Sequence, residues 1–142
     1  MTDTNQLSDA TICEHCGEER AHHRCQQESR TRRIRELNDA FRKAPDLIGV
    51  RIALGQLVIT RGVAALGTTF IDSAVETVRN FANFSEDNDP RSEHDFGSFE
   101  IDGVKLFWKI DCYDNELEHA SPDPTRPDMT RRVLTIMLAE EY

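Results

Sequence analysis

The chain contains no unbroken apolar run near the roughly eighteen residues that a membrane-crossing helix needs. It also lacks a nucleophile motif, a glycine-rich phosphate loop and a His-Glu-x-x-His helix, so no familiar enzyme class is announced. Residues 1–20 carry neither a basic start nor an apolar core, so no secretory leader is expected and the cytoplasm is the expected compartment. There the four cysteines are expected to be thiols or metal ligands rather than disulfides. Basic residues are in deficit, with 17 Lys and Arg against 26 Asp and Glu and a net charge of -9. The deficit is local: residues 85–128 hold 13 acids and 4 bases, while the remainder holds 13 of each. Such a band repels phosphate backbones, which argues against nucleic-acid binding through it. It suits a cation, a basic protein surface, or an imitation of nucleic acid.

What is present centres on Glu93–Asp114. Asp102-Gly103 is the dipeptide that best supplies the positive φ angles of a two-residue hairpin loop. Beyond it Val104, Leu106, Trp108, Ile110 and Cys112 alternate with Lys105, Phe107, Lys109, Asp111 and Tyr113, the pattern of a half-buried strand. A two-residue loop sets Ile101 opposite Val104 and Phe99 opposite Leu106 on one apolar face, where Trp108 is expected to anchor the core. On the other face Glu100 meets Lys105, Phe96 meets Lys109 and, if the pairing runs past Gly97, His94 meets Asp111.

Near the N-terminus Cys13, Cys16 and Cys25, with His22 or equally His23, offer three thiolates and an imidazole to one tetrahedral Zn²⁺. Gly17 allows the sharp turn such a knuckle needs, and the segment has almost no apolar side chains to fold without metal. Residues 1–28 therefore read as a polar tail with a zinc knuckle, and 29–142 as a single domain.

Within that domain Ile34, Leu37, Phe41 and Ala44 form one stripe of a helix capped by Ser29 and ended before Pro45. Its basic residues, Arg30, Arg32, Arg33, Arg35, Arg42 and Lys43, read as a wet face balanced by Glu28, Glu36 and Asp39. Residues 56–61 read as a strand and 68–84 as a second amphipathic helix buried through Ile71, Ala74, Val75 and Val78. Residues 85–90 suit turn chemistry better than a calcium loop, whose central glycine and distant glutamate are missing. After an acidic, proline-rich loop, Thr125 to Asp128 resembles a capping box. Helix is expected over 129–142, although Val133–Leu138 by itself also suits a strand. The expected fold is α+β: a small antiparallel sheet from 56–61, 96–101 and 104–113, centred on the hairpin and packed by about three helices.

Several strings support a resemblance: Thr60-Arg61-Gly62, Glu86 to Pro90, Glu93 to Gly97, Phe107 to Asp111, Ser121 to Pro124 and Arg132 to Ala139. Over about residues 30–142 the chain resembles a small uncharacterised family common on alphaproteobacterial chromosomes and plasmids. The resemblance implies no particular activity, only an accessory or anti-defence role suited to mobile elements. Members typically carry tyrosine where this chain has Cys112, which argues against that thiol as an essential nucleophile.

Two functional expectations follow. The first is a non-enzymatic protein that binds a basic partner, such as a nucleic-acid-binding protein, through Asp87, Asp89, Glu93, Phe107, Tyr113, Asp114 and Glu118. The second is a metal-dependent hydrolase or nuclease in which His94, Asp111, Asp114 and His119 converge on a divalent cation.

Overall fold

A computed structural model describes residues 22–44 and 55–142, with side chains from residue 26 onward. In chain order the elements are α1 (His22–Arg42), β1 (Gly55–Ile59), α2 (Arg61–Ala64), α3 (Thr68–Arg79), β2 (Phe96–Ile101), β3 (Val104–Tyr113) and β4 (Arg131–Leu138). Short 3₁₀ turns at Pro127–Met129 and Ala139–Glu141 flank β4.

The hairpin forms as its turn dictates. Asp102 and Gly103 both take positive φ, 51° and 79°, so β2 and β3 leave the turn already in register. Ile101 pairs with Val104, Phe99 with Leu106, Glu100 with Lys105 and Phe96 with Lys109. Pairing every second residue to one face buries Leu106, Trp108 and Ile110 together.

The last segment departs from the helical expectation. Residues 131–138 are a strand inserted at the centre of a four-stranded sheet of order β1-β4-β3-β2. β4 runs antiparallel to β3 and parallel to β1, so the sheet is mixed rather than purely antiparallel. A strand covered on both faces has little need of polar alternation, and Arg132, Val133, Leu134, Ile136 and Met137 are all buried. The Thr125–Asp128 box accordingly opens only the 3₁₀ turn, with Pro127 at its start. The fold is α+β, with three helices and four strands among the described residues. α2 was not foreseen, and α1 begins at His22, ahead of the expected Ser29 cap.

The helices press on one face of the sheet. Phe41 of α1, Val63 of α2 and Ala74, Val75 and Val78 of α3 meet Leu106, Trp108, Ile110, Leu134 and Ile136 in one core. Phe81 and Phe84 continue α3 over Trp108, edge-on to its ring at 5.4 and 6.1 Å. Gly97 lies beneath this stack, where a Cβ would fall 2.4 Å from the Trp108 Nε1. Only glycine lets β2 approach the indole so closely. On the opposite face the rings of Phe96, Phe107 and Tyr142 form a smaller group, centroids 5.3 to 5.8 Å apart. Tyr142 itself is 74% exposed.

Candidate functional site

Two loops meet at the end of the sheet opposite the Asp102-Gly103 turn, because one enters β2 at Phe96 and the other leaves β3 at Tyr113. They hold most of the acidic excess, and α1 lies against them. Arg30 pairs with Asp123 at 2.9 Å, and Arg35 donates to the Ser92 carbonyl at 3.0 Å. The helix thus turns basic side chains toward the acidic loops instead of balancing them only along its own length.

The first loop is organised by Asp89, which is 5% exposed. Its Oδ1 accepts the amides of Glu93 and His94 at 3.0 and 3.1 Å, and its own amide donates to the Ser85 carbonyl. This is side-chain capping of a loop, the turn chemistry expected of the segment although with a longer reach than an Asx turn. It has a consequence for His94. Ser92 and His94 take positive φ, 57° and 53°, so after a last bond from the Ile110 amide to the Asp95 carbonyl the ladder ends and His94 does not meet Asp111. His94 instead stacks on Phe84, ring centroids 3.7 Å apart and planes within 3°. Its Nδ1 lies 3.0 Å from Asp39, and its Nε2 lies 3.7 Å from Asp89.

Asp39 links the histidine to Arg42, whose guanidinium is 2.9 Å away. Arg42 is 1% exposed and donates to the carbonyls of Val78 and Phe81 at 2.6 and 2.9 Å. The Val78 carbonyl lies in the last turn of α3 and otherwise accepts, among the described residues, only the Phe81 amide at 3.3 Å, and Phe81 follows just past the helix end, so the arginine serves as a C-terminal cap brought from another element. It also lies over Trp108 and Phe84, at 5.2 and 5.5 Å from the ring centroids. Sequence reasoning placed Asp39 and Arg42 on the wet face of α1. Their spacing of three residues, beside the core residue Phe41, was the available signal.

A second buried set braces the same end. Arg132 donates to Asn38 Oδ1 at 2.8 Å and to the Pro124 carbonyl at 2.7 Å, and Asn38 donates to the Glu93 carbonyl. Burial lowers the Arg132 pKa. Cys112 pairs with Arg132 across the strands, and burial raises its thiol pKa, leaving it a poor nucleophile. Glu93 and Asp95 are also pushed up, by burial first and then by neighbouring carboxylates, Asp95 for Glu93 and Asp89 for Asp95.

The four residues considered for metal-dependent chemistry are divided. His94 faces Asp39 and Asp89 on the helix side, while Asp111 pairs with Lys109 at 3.1 Å on the other face. Asp114 accepts the Glu118 amide and lies 3.6 Å from His119, whose side chain is 81% exposed. Backbone amides, led by that of Glu118, hold the Asp114 pKa low. Among the described residues no three His, Cys, Asp or Glu side chains gather so as to hold a metal ion. Cys13 and Cys16 lie outside the described residues, and of His22, His23 and Cys25 only the helical backbone is described.

The residues expected to bind a partner fall into three groups. Asp89 and Asp114 are fixed within their own loops. Asp87 and Glu118 are exposed, as are their neighbours Glu86 and Glu116. Glu93, Phe107 and Tyr113 are half-buried, the Phe107 ring lying against Phe96, Tyr142 and the Lys105 ammonium.

Among the described residues no helix is long and apolar enough to cross a membrane. No curated protein and no solved structure matches the chain. A family match covers residues 59–141, from the end of β1 through β4, and so includes both acidic loops but not α1. On that match, which spans more than half of its length, the chain belongs to the family described as Protein of unknown function (DUF3768).

Proposed function

We propose that the protein is a non-enzymatic accessory protein whose two acidic loops dock on a basic partner, their carboxylates standing in for the phosphates of a nucleic acid. The observation that carries this reading is the placement of Glu86, Asp87, Glu116 and Glu118. All four are exposed on loops at one end of the sheet, and no hydrogen bond or ion pair among the described residues engages their carboxylates. Exposed like charges that stabilise nothing within the fold are costly to gather, and they steer association with an oppositely charged surface. A nucleic-acid-binding protein is the partner such a surface fits. An inhibitor of that kind also suits the mobile-element role that the family resemblance implies.

The test is affinity capture with the wild-type protein and a Glu86→Lys/Asp87→Lys/Glu116→Lys/Glu118→Lys variant as baits. Basic nucleic-acid-binding proteins are expected on the wild type alone, released by salt and displaced by duplex DNA. Capture that survives charge reversal, or that DNA fails to compete, removes the proposal. Asp89 and Asp114 are left out of the variant because reversing them would break the loops themselves.

The Cys13, Cys16, His22 and Cys25 set is proposed to hold one structural Zn²⁺, with His23 as the alternative imidazole. Three thiolates and one imidazole close the shell and leave no position for a substrate. Protein purified without chelator is expected to carry one zinc per chain, and a Cys13→Ser/Cys16→Ser variant none. Equal zinc in both would exclude the site.

A further inference from the structure

The arginines of this acidic protein are unevenly partnered. Arg30, Arg42, Arg79 and Arg126 each hold a carboxylate. Arg32, Arg35 and Arg91 hold none among the described residues, and all three line one groove of about 540 Å³ between α1 and the loop before β2. Arg33, Arg61, Arg131 and Arg132 also lack such a partner, but none of them lines this groove. Thr31, Arg32 and Arg35 share a helix face by their spacing, and Arg91 closes the groove from the loop side. One nitrogen of Arg35 is already tied to the Ser92 carbonyl, on a residue held in the left-handed conformation. The guanidinium is thereby positioned before any ligand arrives, which limits the entropy lost on binding. Hydroxyls of Thr31 and Ser92 add neutral donors, and Glu28 is the one acid on the wall.

A second groove of about 650 Å³ adjoins the first, the two sharing Arg35 and Ser92 as common walls. Its lining is of a different kind: the stacked Phe84–His94 pair, Pro90, and the carboxylates of Glu86 and Asp89. One half thus offers planar guanidinium forks, which match phosphate oxygens two at a time. The other offers aromatic surface and acceptors, which suit a flat ring bearing N–H groups and repel an anion. The two halves are chemically polarised along one cleft.

We propose that this double groove binds a mononucleotide, its phosphate held by Arg32, Arg35 and Arg91 and its base laid against Phe84 and His94. This does not depend on the acidic loops having a protein partner. Isothermal titration of the whole protein with guanosine monophosphate, guanosine and inorganic phosphate tests it. The nucleotide is expected to bind at least about tenfold more tightly than either fragment and to weaken with added salt. Arg32→Ala and Arg91→Ala are each expected to weaken it by about tenfold or more, the usual value of a hydrogen bond to a charged group. Both side chains are exposed, so an unchanged melting curve is expected for each variant. Phe84→Leu should weaken the nucleotide while leaving inorganic phosphate unaffected. The proposal is overturned if no probe binds at millimolar concentration. It is equally overturned if guanosine binds as well as its phosphate, or if the arginine variants bind like the wild type.

Discussion

The two faces of β3 differ more than their shared strand would suggest. On one, Leu106, Trp108 and Ile110 are 5% exposed or less and meet three helices. On the other, Phe107, Lys109, Asp111 and Tyr113 are all half-buried; the Phe107 ring lies against Phe96, Tyr142 and the Lys105 ammonium, and Lys109 pairs with Asp111. The first face decides whether the molecule folds. The second is expected to contribute less to folding, although it also covers Val133 and Met137 of β4, and it keeps side chains of several chemistries near solvent. Neighbouring residues on one strand therefore answer to different demands.

Substitution should expose that asymmetry. Trp108→Ala opens a cavity under Phe81 and Phe84 and is expected to cost about 3–5 kcal/mol in urea denaturation. Arg42→Ala should follow at about 3 kcal/mol, since it leaves the Asp39 carboxylate with His94 alone and uncaps the Val78 and Phe81 carbonyls at the end of α3 and just past it. Phe107→Ala, one residue from Trp108 but on the open face, should cost only about 1 kcal/mol. A Phe107 effect as large as that of Trp108 would mean that the second face is also core.

The smallest effect is a pH dependence at the sheet's acidic end. Burial raises Glu93 and Asp95 above their ordinary values of 4.5 and 3.8, so their charged forms oppose folding. Stability from these groups is complete below the ordinary carboxylate range and is lost as pH rises through the raised values. A Glu93→Gln/Asp95→Asn variant should therefore gain on the wild type as pH rises toward neutral and match it in acid. Denaturation midpoints measured across that range check the sign. A variant that loses ground with rising pH would mean that the two carboxylates are stabilised as anions.

Much of the hairpin was legible because its information is local. The turn dipeptide, the strict alternation and the pairing of Phe96 with Lys109 follow from neighbours in sequence, and Trp108 is the core anchor the pattern implies. The amphipathic stripe of α3 was equally plain, although the helix ends at Arg79 rather than at residue 84. β4 misled for a physical reason. Val133, Leu134, Ile136 and Met137 are buried on both faces, so the two-residue period that marks a strand is erased. His94 misled because its placement follows from Asp89, which takes its amide and turns the chain out of the ladder. Arg42 and Asp39 were hidden because their partners are remote in sequence: α3 carbonyls for the arginine and an imidazole from the loop before β2 for the carboxylate.

The position of β4 also constrains the order in which the molecule can be completed. β1 has its ladder partner in residues 132–136, more than seventy positions later, and nothing in the hairpin can substitute for it. While the chain is being synthesised, the hairpin can close as soon as residue 113 is free, but β1 must wait as a lone strand until β4 emerges. Its paired edge and that of β3 stay open through this interval, the condition in which strands find wrong partners. Any interval in which the chain is free through residue 113 but not yet through residue 131 holds it in that state, with a finished hairpin and an unfinished sheet.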